Sequence, residues 1–368
     1  MYKRQALTRR YVERDLREVY EGRLFYGKDA FEGLRVMDRL AEMKREGLVD
    51  PDFGTVPEGR VVGGDGGGVG EEDASAGDRG GAPVVATEPQ VTLVSPSPDV
   101  ADDNPIFVPP FLGARLVKGI AVDAIVEYIN ETALFRNQWQ MRPESGETDG
   151  EFRERVRPLL RRKLAEAKEQ GWLEPGVVYG YFCANSEGND LIIWQDETRS
   201  SELTRFSFPR QSASPWLCIA DFFRSGEGEQ DYAAFHIVTM GAQATVEAQS
   251  LFAENRYEDY LYTHGLGVEM AEALAEYWHL RVREEWGFAS EDSDTTAGLF
   301  RQRYRGGRYS WGYPACPDLE DNAKVAELLG ADQLGIVVSE DTSWQYQPEQ
   351  TTSALICHHP QAKYFVAK

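Results

Sequence analysis

A segment near the carboxyl end of the chain combines residue types that could bind a small charged ligand. It runs from Arg308 to Pro317 and contains Gly312, Tyr313 and Ala315. Its two prolines fix φ and remove amide donors, while Gly312 can take backbone angles that other residues avoid. A guanidinium can bind a carboxylate through two parallel hydrogen bonds. The segment predicts a rigid loop for an amino-acid-like ligand with an attached base, or a structural loop whose Arg308 forms a surface ion pair.

The elements around this loop are predicted from periodicity and turn residues between Pro105 and Lys368. A capping box formed by Thr148 and Glu151, with Gly171 further on, predicts one helix. Helix-rich sequence from Ala242 to Trp286 is expected to break near 262–265, and a helix is predicted at Asn322 to Leu329. Predicted strands are Val177–Ala184, Leu191–Gln195 (after a five-residue loop), Trp216–Phe223, Ala233–Met240, Gly335–Ser339, Ala354–His358 and Lys363–Ala367. This order predicts an α+β domain with a mostly antiparallel, curved sheet and flanking helices.

The residues before this domain differ in character. Residues 1–48 predict a helix at 6–20, a strand at 23–26 and a helix at 30–45, which are pieces of a parallel α/β sheet whose other strands are missing. Such a short block is expected to be the tail of a longer protein, or an appendage of the large domain. Residues 49–104 contain two glycine-rich runs and predict a flexible linker without the ending of a phosphate-binding loop.

Composition limits the classes of function. The 368 residues include 61 acidic and 39 basic side chains, a formal charge of −22 that disfavours nucleic-acid or membrane-surface binding. No apolar run approaches a membrane span or a signal region, so we expect a cytoplasmic protein. The four cysteines lack ligand spacing, and the motif Cys357-His358-His359 is not expected to bind a metal. His236 is expected to be a buried, hydrogen-bonded histidine, and no complete catalytic motif is present.

Several segments together resemble the activation domain of cobalamin-dependent methionine synthases. The loop resembles the one that binds S-adenosylmethionine in that family, and it is joined, in the family's order, by Tyr128–Phe135, Val178–Phe182, Ala271–His279 and His359–Phe365. The resemblance covers about 260 residues, from Pro105 to Lys368. Residues 22–34 also resemble the last strand and helix of the family's cobalamin-binding domain.

The resemblance implies a repair reaction. In the family, S-adenosylmethionine and one electron from a flavodoxin-type donor convert inactive cob(II)alamin to methylcobalamin, while the domain docks on the cobalamin-binding domain. Orientation of the methyl group is what the domain supplies. By position, Arg308 would hold the methionyl carboxylate, and the other implied contacts are Gly312, Tyr313, Ala315, Asn130, Glu272, Tyr364 and Phe365.

The chain departs from the family at several points. Asn130, Phe365 and Gln302 stand where some members have aspartate, tyrosine and glutamate. The cobalamin-ligating motif Asp-x-His-x-x-Gly, the zinc-binding cysteines and a folate-binding barrel have no match. We therefore expect a carboxyl-terminal fragment of such an enzyme. A stand-alone module that docks on a separate cobalamin protein is the alternative, and an unrelated methyltransferase ranks last.

Overall fold

The computed structural model describes residues 24–25, 36–37, 39–40, 43–45 and 96–367. The chain divides into two compact units, Met1–Pro89 and Gln90–Lys368. In the first unit, residues 36–37, 39–40 and 43–45 are helical and fall within the predicted helix at 30–45. The predicted helix at 6–20, the two ends of the predicted strand at 23–26 and the glycine-rich runs lie outside the described residues. Residues 24–25 are described and form no strand. The division at 48 and 104 stays a prediction.

The second unit is built on one seven-stranded antiparallel sheet. Its strands run in the order β4-β3-β2-β5-β7-β6, and β1 pairs with part of β2. Their bounds are β1 Gly113–Lys118, β2 Gly176–Glu187, β3 Asp190–Trp194, β4 Glu202–Ser207, β5 Asp231–Thr239, β6 Gly307–Tyr309 and β7 Thr351–Cys357. The short strand β6 lies at one edge, paired only with β7. The fold class is the predicted α+β.

The helices lie between these strands in the chain. Their bounds are α1 Val122–Val126, α2 Glu131–Ala133, a π-helical turn Leu134–Gln138, α3 Asp149–Gln170, α4 Ala242–Ala253, α5 Tyr257–Trp286, α6 Thr296–Leu299 and α7 Asp321–Leu329. Short 3-10 turns occupy Ile219–Phe222, Ala289–Glu291, Ala331–Leu334 and Glu340–Thr342. No helix in the described ranges is long and apolar enough to cross a bilayer.

The central strands β2, β5 and β7 are buried on both faces and carry apolar residues on both sides, whereas β1 and β4 are largely exposed. Strand β5 is buried along its whole length, and its side chains alternate between two cores. Ala234 and Val238 face the core that contains α5, whereas Phe235 and Ile237 face the core with α7. The alternation places Arg308 and Tyr309 of β6 on opposite faces, and Tyr309 belongs to the second core.

The capping-box prediction for α3 is confirmed. The Thr148 hydroxyl accepts the Glu151 amide at 3.3 Å, and the Glu151 carboxylate accepts the Thr148 amide at 2.9 Å. The helix ends at Gly171, whose φ of 69° is left-handed. The helix at Asn322–Leu329 is confirmed as α7, with one more residue at its start.

Two strand predictions near the middle of the chain are wrong in detail. The hairpin of β2 and β3 has a two-residue turn, because Glu187 pairs with Asp190 and the strands extend into the predicted loop. The apolar run at 216–223 is a buried loop with a 3-10 turn rather than a strand. The Asp221 carboxylate accepts the Cys218 amide at 3.0 Å, which caps that turn.

The predicted break of the long helix is displaced. The chain turns at 254–256, where Asn255 has a φ of 59°, and α5 then runs unbroken through Gly265. A Cβ at Gly265 would meet the Gln138 and Trp139 side chains at 2.9 and 3.0 Å, so the glycine serves close packing. Segments 335–339 and 363–367 form no strand, apart from a single bridge at Val337, and the strands β1 and β4 were not predicted.

Candidate functional site

Strand β6 fixes the position of Arg308 in the predicted ligand loop. Arg308 pairs with Ile356 of β7, and the next residue, Tyr309, pairs with Leu355. The Tyr309 ring is 4% exposed, and its hydroxyl donates to the Lys363 carbonyl at 3.0 Å. A buried aromatic anchor on one face therefore holds the guanidinium-bearing residue on the other face of the same strand.

The loop after β6 is held by its own backbone hydrogen bonds. The Gly312 amide donates to the Cys316 carbonyl, and the Cys316 amide donates to the Tyr313 carbonyl, both at 2.9 Å. Gly312 has a φ of 84°, a left-handed geometry. Ala315 and Cys316 are 1% and 3% exposed and belong to the second core, whereas Pro314 is exposed. Gly312 therefore uses the conformational freedom that the sequence analysis noted for it.

Arg308 forms an ion pair with Glu276 of α5. Its Nη2 donates to Glu276 Oε2 at 3.2 Å, and the two side chains are 15% and 13% exposed. Arg308 Nη1 and Glu276 Oε1 are buried and have no hydrogen-bond partner among the described residues. The alternative of a surface ion pair is therefore only half right, because the pair exists but is largely buried and incompletely bonded.

Other predicted site residues surround this pair. Burial lowers the pKa of Arg308, but the carboxylates of Glu276 and Glu272, with the hydroxyls of Tyr304 and Tyr313, more than offset it, so the net shift is upward. Burial first, and then the Glu272 carboxylate, raise the pKa of Tyr313 to about 12, with a smaller contribution from Tyr364. The structure thus brings together Arg308, Glu272, Tyr313 and Tyr364.

Asn130 lies beside α5, about one helical turn before Glu272. The Asn130 side-chain oxygen caps α2 by accepting the amides of Thr132 and Ala133 at 3.1 and 3.2 Å. The backbone amide of Asn130 donates to Glu269 Oε1 at 3.2 Å, and Glu269 lies three residues before Glu272 on α5. Asn130 thus borders the acidic end of the site, but its side-chain oxygen already accepts two backbone amides of α2.

Phe365 is placed differently from the other predicted residues. Its ring is 6% exposed and packs on Phe222 and Tyr309, in the core on the opposite face of the sheet from Arg308. The ring is therefore not brought to the guanidinium. That these eight residues contact a ligand stays a prediction, and any contact at Phe365 would come from its backbone.

Sequence reasoning missed two residues at the site, Glu276 and Tyr304. The signal for Glu276 was present, because Glu272 and Glu276 are four apart in an otherwise apolar stretch and must share a helix face. Tyr304 carried no such signal. Its ring lies 4.2 Å from the Arg283 guanidinium and 5.0 Å from the His279 ring.

The prediction for His236 is half right. The residue is completely buried, as expected, but neither ring nitrogen has a hydrogen-bond partner in the described part of the chain. It lies on β5 opposite Ala354 of β7 and Tyr179 of β2, and neither residue hydrogen-bonds to the ring. Sheet register, which the sequence alone did not supply, decides this environment.

The arrangement is suited to binding rather than to covalent chemistry. Burial raises the pKa of the Cys183 thiol to about 11 and of the Cys218, Cys316 and Cys357 thiols to about 12, so all four are protonated at neutral pH. Within the described ranges, no group of three or more histidine, cysteine or acidic side chains could hold a metal ion. What remains is a buried cation with acidic and aromatic neighbours.

Comparisons with known proteins agree with this geometry. Residues 121–368 match the family described as "Vitamin B12 dependent methionine synthase, activation domain". The methionine synthases of Mycobacterium tuberculosis and Mycobacterium leprae are 42% and 41% identical over 98% of this chain. The chain spans 31% of the length of these curated relatives. A crystal structure of the MetH reactivation domain bound to AdoHcy matches with a TM-score of 0.66 and 29% identity, covering 71% of this chain and 83% of that one.

The fold and the site therefore define an α+β domain with a buried arginine beside acidic and aromatic side chains. The chain belongs to the family of vitamin B12 dependent methionine synthase activation domains. Its curated relatives are methyltransferases that carry this region within a much longer polypeptide. That arrangement does not favour a stand-alone docking module.

Proposed function

We propose that this chain binds S-adenosylmethionine at the Arg308 loop and serves the reductive methylation of cobalamin in a methionine synthase. One observation carries the proposal: Arg308 is largely buried, yet its Nη1 lacks a partner among the described residues while Nη2 holds Glu276. A buried guanidinium with an unused N–H pair is strongly favoured to bind a carboxylate. The methionyl carboxylate of S-adenosylmethionine fits this need.

The remaining site groups fit the rest of an amino-acid ligand. Glu272 lies close enough to raise the pKa of Tyr313 and could accept hydrogen bonds from the ligand ammonium group. The Tyr313 ring and the rigid turn up to Cys316 offer a flat surface and backbone carbonyls beside it. When bound, S-adenosylmethionine supplies a sulfonium methyl group that, with one electron from a flavodoxin-type donor, methylates the cobalt of a cobalamin held by another domain.

The contribution of this chain's residues is orientation. Arg308 is fixed by strand pairing and by Glu276, so the amino-acid end of a ligand would be held at a defined point. Holding a methyl group beside its acceptor replaces a bimolecular encounter by a positioned one, which needs no general acid or base. We propose the cobalamin-binding domain of the same enzyme and a flavodoxin-type protein as the partners.

Calorimetry with two ligands tests the proposal. S-adenosylhomocysteine carries the amino-acid end, whereas 5′-methylthioadenosine lacks it. We expect the full 368-residue chain to bind the first ligand more tightly. In Arg308→Ala the affinity for S-adenosylhomocysteine should fall about 10- to 100-fold, the value of a hydrogen bond between charged groups, with 5′-methylthioadenosine little affected.

The control is Arg161→Ala, which removes an exposed arginine from α3. It changes the net charge equally and should leave both affinities unchanged. The proposal would be overturned if the intact chain bound neither ligand. It would also be overturned if Arg308→Ala weakened both ligands to the same degree.

A further inference from the structure

Helix α5 carries a buried polar stripe that extends beyond the proposed ligand contacts. Glu272, Glu276, His279 and Arg283 are spaced by four, three and four residues, so they lie on one side of the helix. His279 and Arg283 are completely buried. Because α5 packs on β5 and β7, such a stripe occupies space that apolar side chains would ordinarily fill.

The sheet presents two polar residues to the same space. Arg308 of β6 is aligned with Ile356 of β7 and Ala234 of β5, and His236 lies two residues beyond Ala234 on the same face. The residue beside His236 on β7 is Ala354. The side chains at Ala234 and Ala354 are small and completely buried.

The polar atoms in this space are not satisfied by one another. Both ring nitrogens of His236 and of His279 are buried without a partner in the described ranges, as are Arg308 Nη1, Glu276 Oε1 and both terminal nitrogens of Arg283. Among the described residues, Arg283 hydrogen-bonds through Nε alone, which donates to Asp292 at 2.7 Å, and its guanidinium lies over the Tyr304 ring. Leaving so many groups unbonded would be costly, and buried polar groups in folded proteins are nearly always bonded to protein or internal water.

The two imidazoles are neutral. Burial lowers the pKa of His236, and Arg308 lowers it further; burial, Arg283, Arg308 and His236 lower that of His279. A neutral imidazole offers one donor and one acceptor, which suits a bridging water molecule. A metal ion does not fit, since the described residues supply no three-ligand group here.

We propose that His236 and His279 are positioning residues for Arg308, linked by buried water molecules to Arg308 Nη1 and Glu276 Oε1. Nη1 carries two N–H bonds, so one can hold the water cluster and the other the ligand carboxylate. An internal water needs about two to four polar partners, and these four side chains provide them. The role assigned to the carboxylate rests on the proposed function, whereas the water cluster does not.

The binding test compares two substitutions at one position. His279→Leu removes both hydrogen-bonding atoms, whereas His279→Gln keeps a donor and an acceptor. We expect His279→Leu to weaken S-adenosylhomocysteine binding about tenfold without affecting 5′-methylthioadenosine, and His279→Gln to retain most of the wild-type preference. Val282→Ala, a completely buried apolar site on the same helix, is the control for lost stability and should leave the preference intact.

A crystal structure of the wild-type chain supplies an independent readout. It should show ordered water molecules within hydrogen-bond distance of His279, His236 and Arg308 Nη1. Direct side-chain contacts that exclude water, or a His279→Leu variant with unchanged ligand preference, would overturn the inference. If the wild-type chain bound no ligand, the proposed function would fail, and the water positions would still decide the inference. If His279→Leu does not fold, the water positions in the wild-type crystal structure still decide the inference.

Discussion

Gly306, two residues before Arg308, offers a sharp test of how the site is held. Its φ is 86°, and a Cβ built there would lie 2.3 Å from the Cys357 carbonyl oxygen. The carbon of the same carbonyl and the His358 Cα lie at 3.3 and 3.4 Å, so the obstacle is backbone rather than a flexible side chain. Gly306→Ala can be accommodated only if β6 moves away from β7.

The cost of this substitution has two parts. Left-handed backbone costs a residue with a Cβ about 1–2 kcal/mol. The overlap adds about 1–3 kcal/mol, as for other overpacked positions. Gly113 isolates the first part, because its φ is 90° and nothing lies within 4 Å of a Cβ there. We expect Gly113→Ala to lose about 1–2 kcal/mol of unfolding free energy and Gly306→Ala about 2–5 kcal/mol.

Urea unfolding followed by tryptophan fluorescence measures both losses, and the eight tryptophans provide the signal. S-adenosylhomocysteine affinity gives a second readout, since displacement of β6 carries Arg308 with it. We expect the affinity to fall about tenfold in Gly306→Ala and to stay unchanged in Gly113→Ala. Equal stability losses in the two variants, with unchanged binding in both, would refute the argument that β6 is fixed by close backbone packing.

Two further predictions concern buried ionisable side chains. Asp221→Asn should cost about 3–5 kcal/mol in urea unfolding, because Arg210 and Asp221 form a bidentate pair at 2.6 and 2.7 Å with side chains only 2% and 1% exposed; a loss below 1 kcal/mol would contradict this. For pH, burial lowers the pKa of His236 and His279 from the ordinary 6.5, so the unfolded chain binds more protons; unfolding free energy should therefore fall as pH drops below about 6.5. A His236→Gln, His279→Gln double variant should show a shallower fall between pH 7 and 5, and stability that rises on acidification would contradict the assignment.

Local signals in the sequence predicted local structure well. The Thr148 capping box and the strand at β5 are each determined by a few neighbouring residues, and each is confirmed. The antiparallel α+β fold followed from hairpins and segregated helices. Edge strands such as β1 and β4 escaped prediction because their sequences are largely exposed, carry charged residues and lack clear alternation.

Predictions failed where distant packing decided the outcome. The apolar run at 216–223 looks like a strand, but Asp221 is held by Arg210 and shapes a buried turn instead. Gly265 looks like a helix break, yet it is the point where α5 approaches Trp139. The environment of His236 depends on which strands flank β5. No local pattern contains that information.

The polar stripe on α5 limits which insertions and deletions this domain can tolerate in evolution. Each residue turns an α-helix by about 100°, because 3.6 residues complete one turn. Losing or gaining one residue between Glu272 and Glu276 would swing His279 and Arg283 about a quarter-turn around the axis relative to Glu272. Exchanges of single side chains leave that alignment intact, but a change in helix length does not. The residue spacing along α5 is therefore as important to the proposed ligand site as any one of its side chains.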